Sequence, residues 1–187
     1  MNLNDREQAA FFPTYKRLPL QPVRGEGLYL VTADGARWLD LFAGIAVNAL
    51  GHAHPRVVAA ITAQAQRYIH LSNYFAQEPQ VHLAELLLRH SGMARVFFAN
   101  SGTEAMEGAL KIARRRGAAR GQSGLVGFSN AFHGRTLGAL SIMDRPNYRD
   151  GFGPFLEGCA SLPFNDVAAL RAGVGPGTAA VVLECVQ

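Results

Sequence analysis

The strongest constraint on the fold of this chain is a polar turn, Asn-Ser-Gly-Thr-Glu, at residues 100–104. It follows an apolar run at residues 96–99 and precedes a stretch with helical character at residues 105–116. A strand, a glycine-containing turn and a helix start together form an anion site. The first-turn N–H groups have no intrahelical partner, and the helix dipole adds partial positive charge there.

The side chains of this turn suit a phosphate. Ser101 and Thr103 supply hydroxyl donors, and Gly102 lets a phosphate oxygen approach the backbone closely. An alternative interpretation requires no ligand, because Ser101 and Glu104 also match the capping box that starts many helices. The local pattern by itself leaves both interpretations open.

Apolar spacing and turn residues along the chain predict short strands that alternate with amphipathic helices. This alternation indicates an α/β fold with a mainly parallel central sheet and flanking helices. The helix after the polar turn is expected to end at Gly117, and residues 151–163 are expected to form loops. The predicted helices are residues 5–12, 55–68, 78–90, 103–116, 136–142 and 166–171, and the predicted strands are residues 28–31, 37–40, 95–99, 125–128 and 179–185.

The end of the sequence has the character of an interior strand. Residues 181–184 are mostly apolar, and an interior strand needs neighbours on both sides and cover on both faces. We therefore expect an incomplete chain.

Composition excludes several classes of protein. No apolar run approaches the ~20 residues of a membrane span, and the N-terminus, with Asp5 and Glu7, is unlike a signal or transit peptide. Cys159 and Cys185 lack metal-like spacing and are typical of reduced thiols in a cytoplasmic protein.

Two other clusters have simpler explanations than a ligand site. His52 and His54 resemble a metal pair, but a turn before Pro55 explains them without a metal, and no acidic or cysteine partner is evident. The arginines at residues 114–116 and 120 suit the C-terminal end of a helix. Without interleaved aromatic residues they do not indicate nucleic-acid binding.

A second loop, residues 130–136, follows the predicted strand at residues 125–128. Loops at the carboxyl ends of parallel strands line the ligand crevice of such sheets, so this loop should open beside the polar turn. Phe132 offers a face for stacking, His133 a second ring with polar nitrogens, and Arg135 a fork that suits a carboxylate. Each residue also has a plain interpretation, as core, turn and surface residue respectively.

These motifs together resemble the class III pyridoxal-phosphate (PLP) aminotransferases, and the acetylornithine and ornithine branch is the nearest match. The resemblance covers nearly the whole chain in the family's order. Departures include Met106, where the family usually has Asn, and Gly108, where Ala is common. The matching segments are residues 24–27, 38–40, 44–48, 51–55, 100–105, 131–136, 151–154, 163–166 and 184–187.

The resemblance implies a fold-type I PLP-dependent transferase. Residues 1–50 would be the arm and hairpin of the family's split small domain, and residues 51–187 the first part of the cofactor domain. The cofactor-binding residues would be Ser101, Gly102 and Thr103 at the phosphate, Phe132 stacked on the pyridine ring with His133 beside it, and Glu184 as an acid of the cofactor pocket.

The resemblance also implies a substrate class. Arg135 would bind the substrate α-carboxylate, assisted by the phenol of Tyr15. Gly44 stands where ornithine aminotransferases carry Tyr, which leaves room for an acylated donor such as N-acetylornithine or N-succinylornithine. The acceptor would be 2-oxoglutarate, in arginine metabolism, and the enzyme would be a cytoplasmic homodimer that binds no metal, nucleic acid or membrane.

Other functions stay open at this point. They are another class III enzyme (an ornithine or GABA aminotransferase or an aminomutase), a decarboxylase or racemase on the same scaffold, and a truncated non-catalytic binding module. The chain contains two lysines, Lys16 in the arm and Lys111 in the helix, and neither suits the Schiff-base role that aminotransfer requires. We expect that lysine to lie after Gln187, so that these 187 residues alone would be inactive.

Overall fold

The computed structural model describes residues 3–187. The chain forms two compact units, Met1–Gln77 and Glu78–Gln187, which are described separately. The sequence analysis placed a boundary at residue 50, between the small domain and the cofactor domain of the family that the chain resembles. That boundary stays a prediction. Within the described residues, no helix is long and apolar enough to cross a membrane.

The first unit is built around an antiparallel sheet of three strands in the order β1-β2-β3. The predicted hairpin is confirmed, because β2 and β3 pair antiparallel with Leu30 opposite Trp38. Its turn is closed by the Thr32 hydroxyl, which donates to Asp34 Oδ1 at 2.5 Å. The elements of this unit are α1 (Leu3–Ala10), β1 (Pro22–Glu26), β2 (Tyr29–Thr32), β3 (Arg37–Leu39), α2 (Ala43–Ala46) and α3 (Pro55–Arg67).

The short turn α2 has an unusual backbone. Its residues have left-handed φ angles, from 47° at Ala43 to 64° at Gly44. Such angles cost about 1–2 kcal/mol for each residue other than glycine. Asp40 Oδ1 accepts hydrogen bonds from the backbone N–H groups of Phe42 (3.0 Å) and Ala43 (2.9 Å), where the chain enters the turn. These bonds hold the strained segment that contains Gly44.

The second unit confirms the predicted α/β fold with a parallel sheet. Strand β4 is central, with β5 and β6 parallel to it on either side. Its residues Leu125–Phe128 are buried because neighbours and helices surround them, and Leu125 packs with Leu110 and Ile142 in the core. The elements are α4 (Glu78–Ser91), α5 (Gly102–Ala118), β4 (Gly124–Phe128), α6 (Leu137–Ser141), α7 (Pro146–Arg149), β5 (Cys159–Leu162), α8 (Val167–Gly173) and β6 (Thr178–Val181).

Four local predictions were wrong. The strand expected at residues 179–185 ends at Val181, where its pairing with β4 ends. The buried strand expected at residues 95–99 is absent, and Phe97 and Phe98 are 66% and 41% exposed, because no described strand lies beside them to complete a ladder. Residues expected to form a loop instead form β5, since β4 offers an edge for pairing. Gly117 does not end helix α5, which continues to Ala118; a Cβ at Gly117 would lie 2.3 Å from the carbonyl oxygen of Gln122.

The chain exposes more surface than folded domains of its size. Its accessible area is 14515 Å², whereas two independently folded units of these lengths would expose about 10,500 Å². The exposed residues include large apolar side chains from both units, among them Phe12, Leu41, Ile69, Tyr74 and Phe97. Apolar surface of this kind is typical of surfaces that contact other protein.

Candidate functional site

The polar turn forms the N-terminal end of helix α5. Ser101 is the extended N-cap residue, and its Oγ accepts a hydrogen bond from the N–H of Glu104 at 3.3 Å. Glu104 Oε2 in turn accepts from the N–H of Asn100 at 2.7 Å. The capping interpretation is thus confirmed, but it does not exclude an anion site. The N–H groups of Gly102 and Thr103 have no acceptor within the helix, and a Cβ at Gly102 would meet no atom within 4 Å.

The loop at residues 129–136 and the segment after β6 meet at one edge of the sheet. β4 ends at Phe128 and β6 at Val181, and parallel strands bring their carboxyl ends to the same edge. The backbone N–H of Phe132 donates to Glu184 Oε2 at 3.2 Å. The structure therefore brings together two residues that lie 52 positions apart in the sequence.

The same loop also packs against the N-terminal end of α5. At Gly134, where φ is 122°, a Cβ would lie 2.1 Å from Thr103 Oγ1, so only glycine permits this approach. Thr103 Oγ1 lies 3.3 Å from Thr136 Oγ1, and the Thr136 hydroxyl donates to Glu107 Oε1 at 2.5 Å. The polar turn and the loop that carries residues 132–135 thus form one surface, as the sequence predicts.

His133 is buried in this surface with 7% of its area exposed. Its backbone N–H donates to Met143 Sδ at 3.3 Å, and its Nε2 has no hydrogen-bond partner within the described residues. Burial lowers the pKa of the imidazole below its usual 6.5, and the nearby Glu184 carboxylate opposes that effect. Burial therefore favours the neutral form of the ring, whose Nε2 is a buried polar atom without a partner among the described residues.

The side chains of Phe132 and Arg135 are exposed to solvent. Phe132 is 46% exposed, and its ring meets Tyr148 edge-on, with 5.7 Å between the ring centroids. The guanidinium carbon of Arg135 lies 5.2 Å from the centroid of the same Tyr148 ring. A flat apolar face and a cation thus flank one tyrosine.

Two of the predicted site residues lie in the other unit. Tyr15 is exposed in the extended arm, with the Arg17 guanidinium 5.6 Å from its ring centroid. Gly44 lies in the left-handed turn α2. Their predicted substrate roles stay predictions.

Several contributing residues were missed by sequence reasoning. Tyr148 and Glu107 belonged to no motif, and Thr136 belonged to the segment at residues 131–136 but was given no role. The importance of all three comes from contacts across the fold. The sequence also gave no sign that His52 pairs with Asp40, whose Oδ2 lies 2.7 Å from His52 Nε2. Among residues 3–187, no group of three or more His, Cys, Asp or Glu side chains is arranged to hold a metal ion.

Comparison with known proteins shows the family of the chain. A model of the family described as aminotransferase class-III matches residues 11–187, which include both the polar turn and the loop at residues 129–136. The chain belongs to the class-III aminotransferase family. Its curated relatives include the acetylornithine aminotransferases of Methanocaldococcus jannaschii, 44% identical over 100% of the chain, and of Rhodobacter capsulatus, 47% identical over 96%. The chain covers 48% and 46% of these two proteins, about half of their length.

Solved structures of aminotransferases confirm the predicted fold class. The ornithine aminotransferase of Toxoplasma gondii superposes with a TM-score of 0.92 at 28% identity, covering 98% of this chain and 44% of that one. A PLP-bound amine transaminase from an uncultivated Pseudomonas species gives a TM-score of 0.81 at 28% identity, covering 95% of this chain and 48% of that one. The α/β architecture of PLP-dependent aminotransferases is therefore shared by this chain.

Proposed function

We propose that this chain forms one side of the cofactor and substrate site of a PLP-dependent ω-aminotransferase. Its amino donor is N-acetylornithine or N-succinylornithine and its acceptor 2-oxoglutarate, in arginine metabolism. The contact of Gly134 with Thr103 carries the proposal, because it joins a helix N-terminus, a ring platform and a cation on one surface.

The phosphate group is assigned to the N-terminal end of α5. Gly102 and Thr103 offer backbone N–H groups, Ser101 and Thr103 offer hydroxyls, and the space beside Gly102 is open. The helix dipole favours a dianion at this end. The residues present therefore fit a phosphate without rearrangement of the backbone.

The ring of the cofactor is assigned to the surface around Phe132. The exposed face of Phe132 suits stacking, and the buried Nε2 of neutral His133 can hydrogen-bond a polar substituent of the ring. Glu184 holds the Phe132 backbone through the N–H bond and places a negative charge near His133. Bound PLP supplies the electron sink that aminotransfer requires.

The substrate carboxylate is assigned to Arg135, whose guanidinium can bind it with two parallel hydrogen bonds. Tyr15 adds a phenol hydroxyl, and Gly44 leaves space for the acyl group of the donor. Support for an acylated donor comes from the relatives at 44–47% identity, which are acetylornithine aminotransferases. This choice of donor places the enzyme in the acetylornithine branch of the family.

The Schiff-base lysine is proposed to come from outside these 187 residues. Lys111 is the only lysine in the sequence of the second unit, and it lies about 13 Å along the helix axis from Gly102. The chain spans about half the length of its relatives, which leaves room for such a residue elsewhere. These 187 residues alone are then inactive.

The apolar surface supports a homodimer, in which a second copy and the rest of the protein cover the exposed side chains. The two free cysteines, Cys159 and Cys185, are compatible with a reducing, cytoplasmic location.

The deciding experiment measures glutamate formed from 2-oxoglutarate by the complete gene product loaded with PLP. N-acetylornithine, N-succinylornithine, ornithine and GABA are compared as donors, and an acylated donor should give the highest kcat/KM. A protein that forms no glutamate with any donor would sink the transaminase proposal. Borohydride reduction followed by peptide mapping tests the lysine: an adduct on Lys16 or Lys111 would show that the Schiff-base residue is within this chain.

A further inference from the structure

Tyr148 lies between two side chains that the proposed function uses separately. Its ring packs edge-on against Phe132, with an angle of 68° between the ring planes, and the Arg135 guanidinium lies over it. Tyr148 is half-buried, whereas Phe132 and Arg135 are exposed. The tyrosine ring is thus the common support of the ring platform and of the cation.

The backbone that carries Tyr148 is anchored on both sides. Arg145, the N-cap residue of α7, donates to the carbonyl oxygen of Asn130, and Arg149, at the end of α7, donates to the carbonyl oxygen of Met143. Met143 also accepts the N–H of His133. Helix α7 is therefore tied to both ends of the segment that contains the candidate site.

An arginine side chain has several rotatable bonds, and fixing it costs conformational entropy. A guanidinium stacked on a half-buried aromatic ring loses much of that freedom before any ligand arrives, and a cation–π contact adds attraction. The same ring meets Phe132, so it also sets the distance between the cation and the stacking face. Preorganisation of this kind lowers the entropic cost of binding.

We propose that Tyr148 is a positioning residue. Its aromatic ring holds the Arg135 guanidinium at a fixed distance from the exposed face of Phe132. The inference rests on the proposed function, because it assumes that Arg135 binds substrate carboxylates. The phenol hydroxyl of Tyr148 does not contribute to this positioning.

The test uses the complete gene product with saturating PLP. Tyr148→Leu should raise KM for both the amino donor and 2-oxoglutarate by about two- to thirtyfold, while kcat changes by less than about twofold. Tyr148→Phe keeps the ring and should restore both KM values. In an Arg135→Ala background, Tyr148→Leu should raise KM no further, since the residue acts through the arginine.

A second measurement separates this inference from the proposed function. Isothermal calorimetry with 2-oxoglutarate alone should show the same rise in Kd for Tyr148→Leu, the same restoration by Tyr148→Phe and the same loss of effect in the Arg135→Ala background. If the parent protein binds 2-oxoglutarate but forms no glutamate, the transaminase proposal fails and the calorimetric comparison still decides the role of Tyr148. Unchanged Kd in Tyr148→Leu, or an equal effect with and without Arg135, would overturn the inference.

Discussion

Gly134 lies so close to Thr103 that a Cβ atom at Gly134 would be 2.1 Å from the Thr103 Oγ1. This contact links the N-terminal end of α5 to the loop after β4, although Thr103 and Gly134 are 31 positions apart in the sequence. The geometry of the whole candidate site depends on it, because Phe132, His133 and Arg135 all lie on that loop.

Gly134→Ala should therefore destabilise the protein and weaken its affinity for PLP. The φ of 122° adds about 1–3 kcal/mol of backbone strain, and the overlap with Thr103 adds about 1–3 kcal/mol of overpacking. Thermal unfolding and a PLP titration of the complete protein measure the two effects. Gly177→Ala is the matched control, since a Cβ there meets nothing within 4 Å and its φ is not left-handed; equal behaviour of the two variants would refute the steric argument.

Arg135→Ala should raise KM for both the amino donor and the oxo acid in the complete enzyme. Loss of a charge-assisted hydrogen bond of about 1.5–3 kcal/mol corresponds to a rise of about ten- to a hundredfold. Steady-state kinetics with each substrate varied in turn provides the measurement. Arg116→Ala removes the same charge roughly 21 Å along α5 from Gly102 and should leave both KM values unchanged. Unaltered KM values in Arg135→Ala would mean that the carboxylate binds elsewhere.

His133 should titrate below pH 6.5, because burial lowers the pKa of its imidazole. The unfolded chain takes up this proton near pH 6.5, whereas the folded chain does not. The contribution to stability is thus present above pH 6.5 and is lost as the pH falls through the folded pKa. The midpoint can be read from the histidine ring resonances in NMR spectra, assigned with a His133→Gln variant.

Glu184→Gln should lower the His133 midpoint further, because the carboxylate opposes the effect of burial and its removal leaves burial alone. Gln retains an oxygen that can accept the Phe132 N–H, so the loop should stay in place. Glu157→Gln, at an exposed loop position, is the control and should not move the midpoint. A His133 midpoint that rises in Glu184→Gln would show that the two side chains are not electrostatically coupled as described.

Asp40→Asn should destabilise the left-handed turn that contains Gly44. The pKa of Asp40 is lowered below 3.8 mainly by the hydrogen bond with His52, and to a smaller extent by the hydrogen bond from the backbone N–H of Ala43. This stabilisation is present above pH 3.8 and is lost as the pH falls through the folded pKa. The difference in Tm between the parent and Asp40→Asn should therefore shrink as the pH falls below 3.8. Asp150→Asn should match the parent, and a constant Tm difference across this range would contradict the argument.

Local features of the fold could be predicted from the sequence because neighbouring residues decide them. The helix start at Ser101 and the hairpin between β2 and β3 need only short-range hydrogen bonds, and both are confirmed. The prediction of a strand at residues 95–99 was wrong because strand formation depends on residues far away in the sequence. An apolar run forms a strand only where another strand supplies its hydrogen bonds, and none of the described strands does so there.

The sequence by itself determined the α/β class, the polar turn that caps a helix at residues 100–104, and the order of motifs that assigns the chain to its family. Only the tertiary structure decided how those motifs combine. It showed that Gly134 lies against Thr103, that Glu184 accepts the backbone N–H of Phe132, and that Tyr148 contacts both Phe132 and Arg135. The physical reason is distance along the chain: hydrogen bonds between near neighbours are encoded locally, whereas contacts across many residues exist only after the sheet has brought its loops to one edge.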